Sequence, residues 1–175
     1  MPTKSVDEKT QLSSEAAIAK IRTLLPQFKS AMLVTHTSTG ELHVRPMGLQ
    51  GDGSTFGGVL WFFVDDRSRK VSESAGGAPV SVICQSDEHS AYLHLTGTAT
   101  MVHDRVKMRE LYSPIVKTWF PRGLEDPHLT LIRFEAIGGE YWASPGGALQ
   151  VAAAFAFSLL TGHPGKGGEA GSLHL

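Results

Sequence analysis

A single cysteine, Cys84, occurs in 175 residues. One thiol cannot close an internal disulfide, so no cross-linked framework holds this chain, and a reducing compartment suits it. Neither sign of charge dominates: 16 basic against 17 acidic residues leave a formal charge of -1. That balance supplies no broad field for nucleic acid or an anionic membrane, so any anion site must be local. Long apolar runs are missing as well. The longest, Ala148 to Leu160, is interrupted by Gln150 and Ser158 and falls short of the about 20 residues a spanning helix needs. Residues 1–11 are polar and charged and lack the apolar centre and cleavage site of a signal peptide. These absences predict a cytoplasmic protein with neither a nucleic-acid nor a membrane partner.

Chemical motifs are sparse too. Gly51-Asp52-Gly53 begins like a dinucleotide fingerprint, but Phe56 stands at the sixth position and no helix follows. No phosphate-binding P-loop is present. Eight histidines occur without metal-ligand spacing. His36 and His43 could face each other across a hairpin, but they have no third ligand, so no metal site is assigned. Cys84 lies in an apolar strand pattern, the setting of an inert buried thiol. No Ser, His and Asp arrangement with a nucleophile elbow appears, and no catalytic residue is singled out.

What is present is a strand-rich pattern. Ile18, Ile21, Leu24, Leu25 and Phe28 recur at three and four residues, which predicts a helix opening at Ser13. Strands are expected over 31–35, 42–50, 59–64, 80–84, 91–102 and 129–142. Short helices are expected over about 68–74 and, capped by Asp104, through Tyr112, with a last one over 147–160. Short links favour antiparallel pairing. The fold class is therefore mainly β with flanking helices, a small six-stranded barrel. The expected organisation is one domain over 12–163 between flexible tails at 1–11 and 164–175.

One constellation remains. Arg45 sits on the second strand within His43-Val44-Arg45-Pro46-Met47, and Ser68-Arg69-Lys70 opens the helix expected after the third strand. A helix N-terminus offers free N–H groups and partial positive charge to a phosphate. Arginine adds a bidentate fork and lysine a point charge. A solvated basic face is the other reading of the same residues, since Asp65 and Asp66 stand next door. Pro46 marks an edge or bulge where a ligand can reach the backbone. Trp61, Trp119, Trp142, Phe62, Phe63 and Tyr141 either fill the core or offer flat surface to a ring.

Five segments, in order, resemble the FMN-binding split-barrel superfamily of pyridoxamine phosphate oxidase: Arg45-Pro46-Met47, Leu60-Trp61-Phe62-Phe63, Ser68-Arg69-Lys70-Val71, Leu95-Thr96-Gly97-Thr98-Ala99 and Glu140-Tyr141-Trp142. Val116-Lys117-Thr118-Trp119-Phe120-Pro121, Asp126-Pro127 and the helix ending Leu160-Thr161-Gly162 resemble its general stress protein 26 branch. The resemblance implies a six-stranded antiparallel split barrel that forms a homodimer, with FMN in a groove between subunits. It places Arg45 and Lys70 on the flavin phosphate, with Ser68 and Arg69 near it. Pro46 and Met47 would line the flavin edge, and Phe63 and Val64 would present backbone groups to it. Tyr92 occupies the place of a flavin-contacting glutamine in the oxidase, Trp142 that of a tryptophan near the flavin, and Trp119 would reach the neighbouring subunit's site.

The oxidase carries an Arg-x-His-type substrate segment shortly after that tryptophan. Here Ala143-Ser144-Pro145-Gly146-Gly147-Ala148-Leu149 offers neither residue, which argues against pyridoxal phosphate synthesis. The resemblance implies a flavin-dependent oxidoreductase linked to general stress, with NAD(P)H as a possible electron donor. A non-catalytic FMN-binding or flavin-storage protein is the alternative, and a deazaflavin or haem ligand a third.

Overall fold

The structure is a computed structural model and describes residues 10–37, 39–67, 79–144, 146–162 and 168–175. Helix α1 (Ser14–Leu24) buries Ala17, Ile21 and Leu24, spaced four and three apart. Pro26 cannot donate to a continuing helix, and the chain tightens into a 3-10 turn over Leu25–Gln27. Leu25 and Phe28, expected on the helix face, are buried from that turn and the residue after it.

Six strands form a half-barrel: β2 (Ser30–His36), β3 (Leu42–Gly48), β4 (Val59–Asp65), β5 (Pro79–Ser86), β6 (Ala91–Val102) and β7 (Leu129–Ala143). They match the six expected from the sequence. All their pairings are antiparallel: β3 with β2, β2 with β5, β5 with β6, β6 with β7 and β7 with β4. Alternation decides the faces. Ala31, Leu33 and Thr35 of β2, Val80, Val82 and Cys84 of β5, and Leu93 and Leu95 of β6 point into the core. Burial pushes the Cys84 thiol up to about 12, so it stays protonated and inert.

Two glycines make the closest strand approach possible. A Cβ on Gly97 would strike the Glu135 carbonyl, and one on Gly139 would strike the His94 carbonyl. Between them the β6–β7 register shifts at Thr96/Gly97, a bulge that bends the long pair round the barrel.

Two further strands differ from the expected tails. β1 (Thr10–Leu12) and β8 (Glu169–His174) pair in parallel, and β8 also pairs antiparallel with the end of β7. The C-terminal segment is thus part of the sheet, with Leu173 in the core. Its alternation covers only Gly171 and Leu173, too short a pattern to stand out beside the glycine-rich stretch before it. Lys20 of α1 forms an ion pair with Glu169 at the start of β8.

Helix α2 (Arg105–Leu111) starts as expected at Asp104, whose Oδ1 accepts from the backbone N–H groups of Val106 and Lys107 at 2.9 and 3.0 Å. With the single turn α3 (Val116–Trp119) it builds a second core. There Met108 and Val116 pack on Phe63, Leu129 and Leu131, and Tyr112 meets Phe63 edge-on with ring centroids 6.2 Å apart. The last helix, α4 (Gly147–Thr161), falls where the sequence predicts it. The helix expected over 68–74 lies outside the described residues.

Candidate functional site

The hydrogen-bonded path across the sheet ends at β3, while β4 pairs with β7. Strands β3 and β4 are therefore neighbours without a ladder between them, and the barrel is split along this seam. A cavity of about 580 Å³ opens there, within the roughly 300–1,000 Å³ of small-molecule and cofactor sites. Val44 to Gln50 form one wall, Phe63 to Asp65 the other, and Ile115, Val116, Trp119 and Phe120 of the α3 region the rim.

Arg45 is the inward cation of that wall. It pairs in register with Leu33 of β2, and both are buried. Its Nη1 donates to Thr35 Oγ1 at 3.3 Å. Arg45 is only 8% exposed, and its guanidinium would give an anion entering the cavity a forked donor. Pro46 stands next to it with no N–H to donate. The position is tolerated because β3 is an edge strand.

The neighbouring carboxylates do not oppose an anion here as their sequence position alone would suggest. Asp65 is gripped by Arg67 through Nε–Oδ1 at 2.9 Å and Nη2–Oδ2 at 2.5 Å. Those bonds hold its carboxyl down at about 2, and the pair is internally neutral. Asp66 Oδ1 lies 3.0 Å from His128 Nδ1, and its Oδ2 lies 3.7 Å from His103 Nε2.

Of the residues picked out from the sequence, Arg45, Pro46, Met47, Phe63, Val64 and Trp119 converge on this cavity. Tyr92 and Trp142 do not line it. They stand opposite each other on β6 and β7, half exposed. Ser68, Arg69 and Lys70 lie outside the described residues. His36 and His43 do not face each other: His43 is opposite Thr35, and His36 is opposite Leu42, which puts the two rings on opposite faces of the hairpin. Among the described residues no three His, Cys, Asp or Glu side chains come together to hold a metal ion.

The cavity also takes residues the sequence reading passed over. Lys29 and Ser30 reach it because Ser30 pairs with Gly48, and Gln50 closes the same end. Lys29 brings a second cation. Only the β2–β3 register places it there, and nothing in the local sequence around Lys29 announces it.

The donor set and size fit a phosphorylated ring compound. Arg45 and Lys29 would be the anion partners of such a ligand, and Pro46, Met47, Phe63, Val64 and Trp119 would offer its ring apolar surface. Fold and cavity together define a split barrel with a cavity at its open seam. The chain belongs to the pyridoxamine 5'-phosphate oxidase-like family, whose model matches residues 16–165.

Among curated proteins it is similar to Protein bli-3 of Neurospora crassa, 27% identical over 173 residues, covering 93% of this chain and 82% of that one. Among solved structures, a candidate general stress protein 26 from Jannaschia sp. CCS1 superposes with a TM-score of 0.75 at 25% identity, covering 93% of this chain and all of that one. The general stress FMN/FAD binding protein of Xanthomonas citri superposes with a TM-score of 0.61 at 26% identity, over 74% of this chain and 89% of that one. The split-barrel architecture expected from the sequence is the one observed.

Proposed function

We propose that this chain binds FMN in the cavity between β3 and β4 and works as a cytoplasmic flavin-dependent oxidoreductase linked to general stress. The observation that carries the reading is Arg45, a buried cation in the wall of an aromatic-lined cavity of about 580 Å³. The Xanthomonas citri relative, an FMN/FAD binding protein, supports it. FMN, when bound, supplies the hydride- and electron-transfer chemistry, with NAD(P)H as the expected electron donor.

The chain's own residues hold and orient. Arg45 takes the phosphate, joined by Ser68, Arg69 and Lys70, which follow Asp65 by three to five positions in the chain. Pro46, Met47, Phe63 and Val64 bound the ring. Trp119 on the exposed rim and the Tyr92–Trp142 pair serve the site across the interface of a homodimer. Pyridoxal phosphate synthesis is not proposed, because 143–149 carries no arginine or histidine to hold that substrate.

Anaerobic addition of NADPH to the FMN-loaded protein tests the activity. Bleaching of the flavin bands is expected. FMN that stays oxidised, with NADH as well as NADPH, removes nicotinamide-driven turnover and leaves the reading of a non-catalytic FMN-binding or storage protein.

A further inference from the structure

Helix α4 presents its surface the wrong way round for a monomer. Among its described side chains the half-buried positions are Gln150, Ala154 and Ser158, a polar and small stripe repeating every four residues. Its large apolar side chains, Leu149, Val151, Phe155, Phe157, Leu159 and Leu160, are 41–86% exposed. The helix contains no Asp, Glu, Lys or Arg, and it makes no extended packing contact with any other described element of its own chain. An all-round apolar helix is stable only when covered.

The exposed apolar surface of these six side chains is on the order of 700 Å², above the roughly 300–600 Å² of the largest patch on a typical monomer. Val151, Phe155 and Leu159, four residues apart, share one face of the helix and offer it to a single partner surface. A membrane is the wrong cover. At 15 residues the helix is about 22 Å long, too short to span the ~30 Å hydrocarbon core. It also lacks the Lys/Arg-rich polar face of a helix that lies on anionic lipid.

The same chain carries a second uncovered apolar surface. On the outer face of the sheet Met32 pairs in register with Ile83, and Val34 with Val44. Met32, Ile83 and Val44 are 43–58% exposed, and Val44 continues onto the cavity wall. A convex helix and an open sheet face on one molecule can form the two halves of an isologous contact, each satisfied twice about a two-fold axis.

We propose that α4 is an arm that docks on the outer sheet face of a second copy of this chain, around Met32, Val44 and Ile83, and so covers the approach to that copy's cavity. The proposal rests on the homodimer reading above and assigns its partner surface.

The test is the mass in solution of the full chain and two variants, by light scattering after gel filtration with circular dichroism as the check on folding. One variant is Phe155→Glu/Leu159→Glu on α4, whose sites are exposed and so carry no packing that folding needs. The other is Met32→Glu/Ile83→Glu on the sheet. The wild type should be a dimer and both folded variants monomers. A monomeric wild type overturns the homodimer reading and the arm together. A dimeric wild type with a dimeric α4 variant keeps the dimer and overturns the arm. Loss of the dimer in the α4 variant but not in the sheet variant overturns the docking face. An unfolded glutamate variant is replaced by its alanine counterpart, Phe155→Ala/Leu159→Ala or Met32→Ala/Ile83→Ala. At least tenfold weaker dimerisation is then required of each, and unchanged dimerisation overturns the proposal.

Discussion

Arg45 and Thr35 meet inside the half-barrel: the guanidinium Nη1 donates to the Thr35 hydroxyl at 3.3 Å, and both residues are buried. Thr35 itself has no exposed surface, so the hydroxyl is a fixed rest for the guanidinium. The cation is thus held in place before any ligand arrives, which lowers the ordering cost of binding.

Replacing Arg45 by alanine should remove a charge-assisted bond to the FMN phosphate worth about 1.5–3 kcal/mol, a loss of roughly tenfold to a hundredfold in affinity. Lys70→Ala should behave alike. Titration of flavin fluorescence measures both. Unchanged affinity in both variants would show that the phosphate lies elsewhere.

The close strand approach at the bulge predicts a stability effect at residues that do not line the cavity. Gly97→Ala and Gly139→Ala each drive a methyl group into a carbonyl of the paired strand. Overpacking of this kind costs about 1–3 kcal/mol, so urea melts should shift to lower midpoints. Gly57→Ala, with open space around its Cβ position, is the control and should move the midpoint little.

Asp65 and Arg67 predict a pH signature. The Arg67 hydrogen bonds lower the Asp65 carboxyl from 3.8 to about 2. A depressed folded value means that the pair's contribution is present above the ordinary value near 3.8 and is lost as pH falls through about 2. The contribution to stability is small, because the Arg67 side chain is 62% exposed. The titration itself is the cleaner readout. Carboxyl NMR should place the Asp65 midpoint near 2 in the wild type and return it toward 3.8 in Arg67→Ala, and an unmoved midpoint would mean that the pair does not form in solution.

Much of this was legible from residue pattern alone. Alternating burial along β2, β5 and β6 is strong enough to read strand by strand, and Asp104 announces α2 by its capping chemistry. The seam cavity was half legible. Arg45-Pro46-Met47 and Phe63-Val64 sit on two strands whose ends can be read, and Pro46 hints at an edge. Lys29, Ser30 and Gln50 were not legible, because a one-residue change of register would send them elsewhere. Strand β8 was missed because its burial rests on Gly171 and Leu173 only, next to a glycine-rich stretch. The exposed state of α4 is equally silent in sequence: an apolar helix reads as core until the structure shows its large side chains exposed among the described residues.

FMN binding is the claim on which the rest stands, and a titration of the purified, flavin-stripped protein with FMN, followed by absorbance and calorimetry, tests it most directly. A yellow complex saturating at one FMN per chain, with at least tenfold weaker binding in Arg45→Ala, is the expected result. Colourless protein that takes up no FMN at millimolar concentration would contradict it.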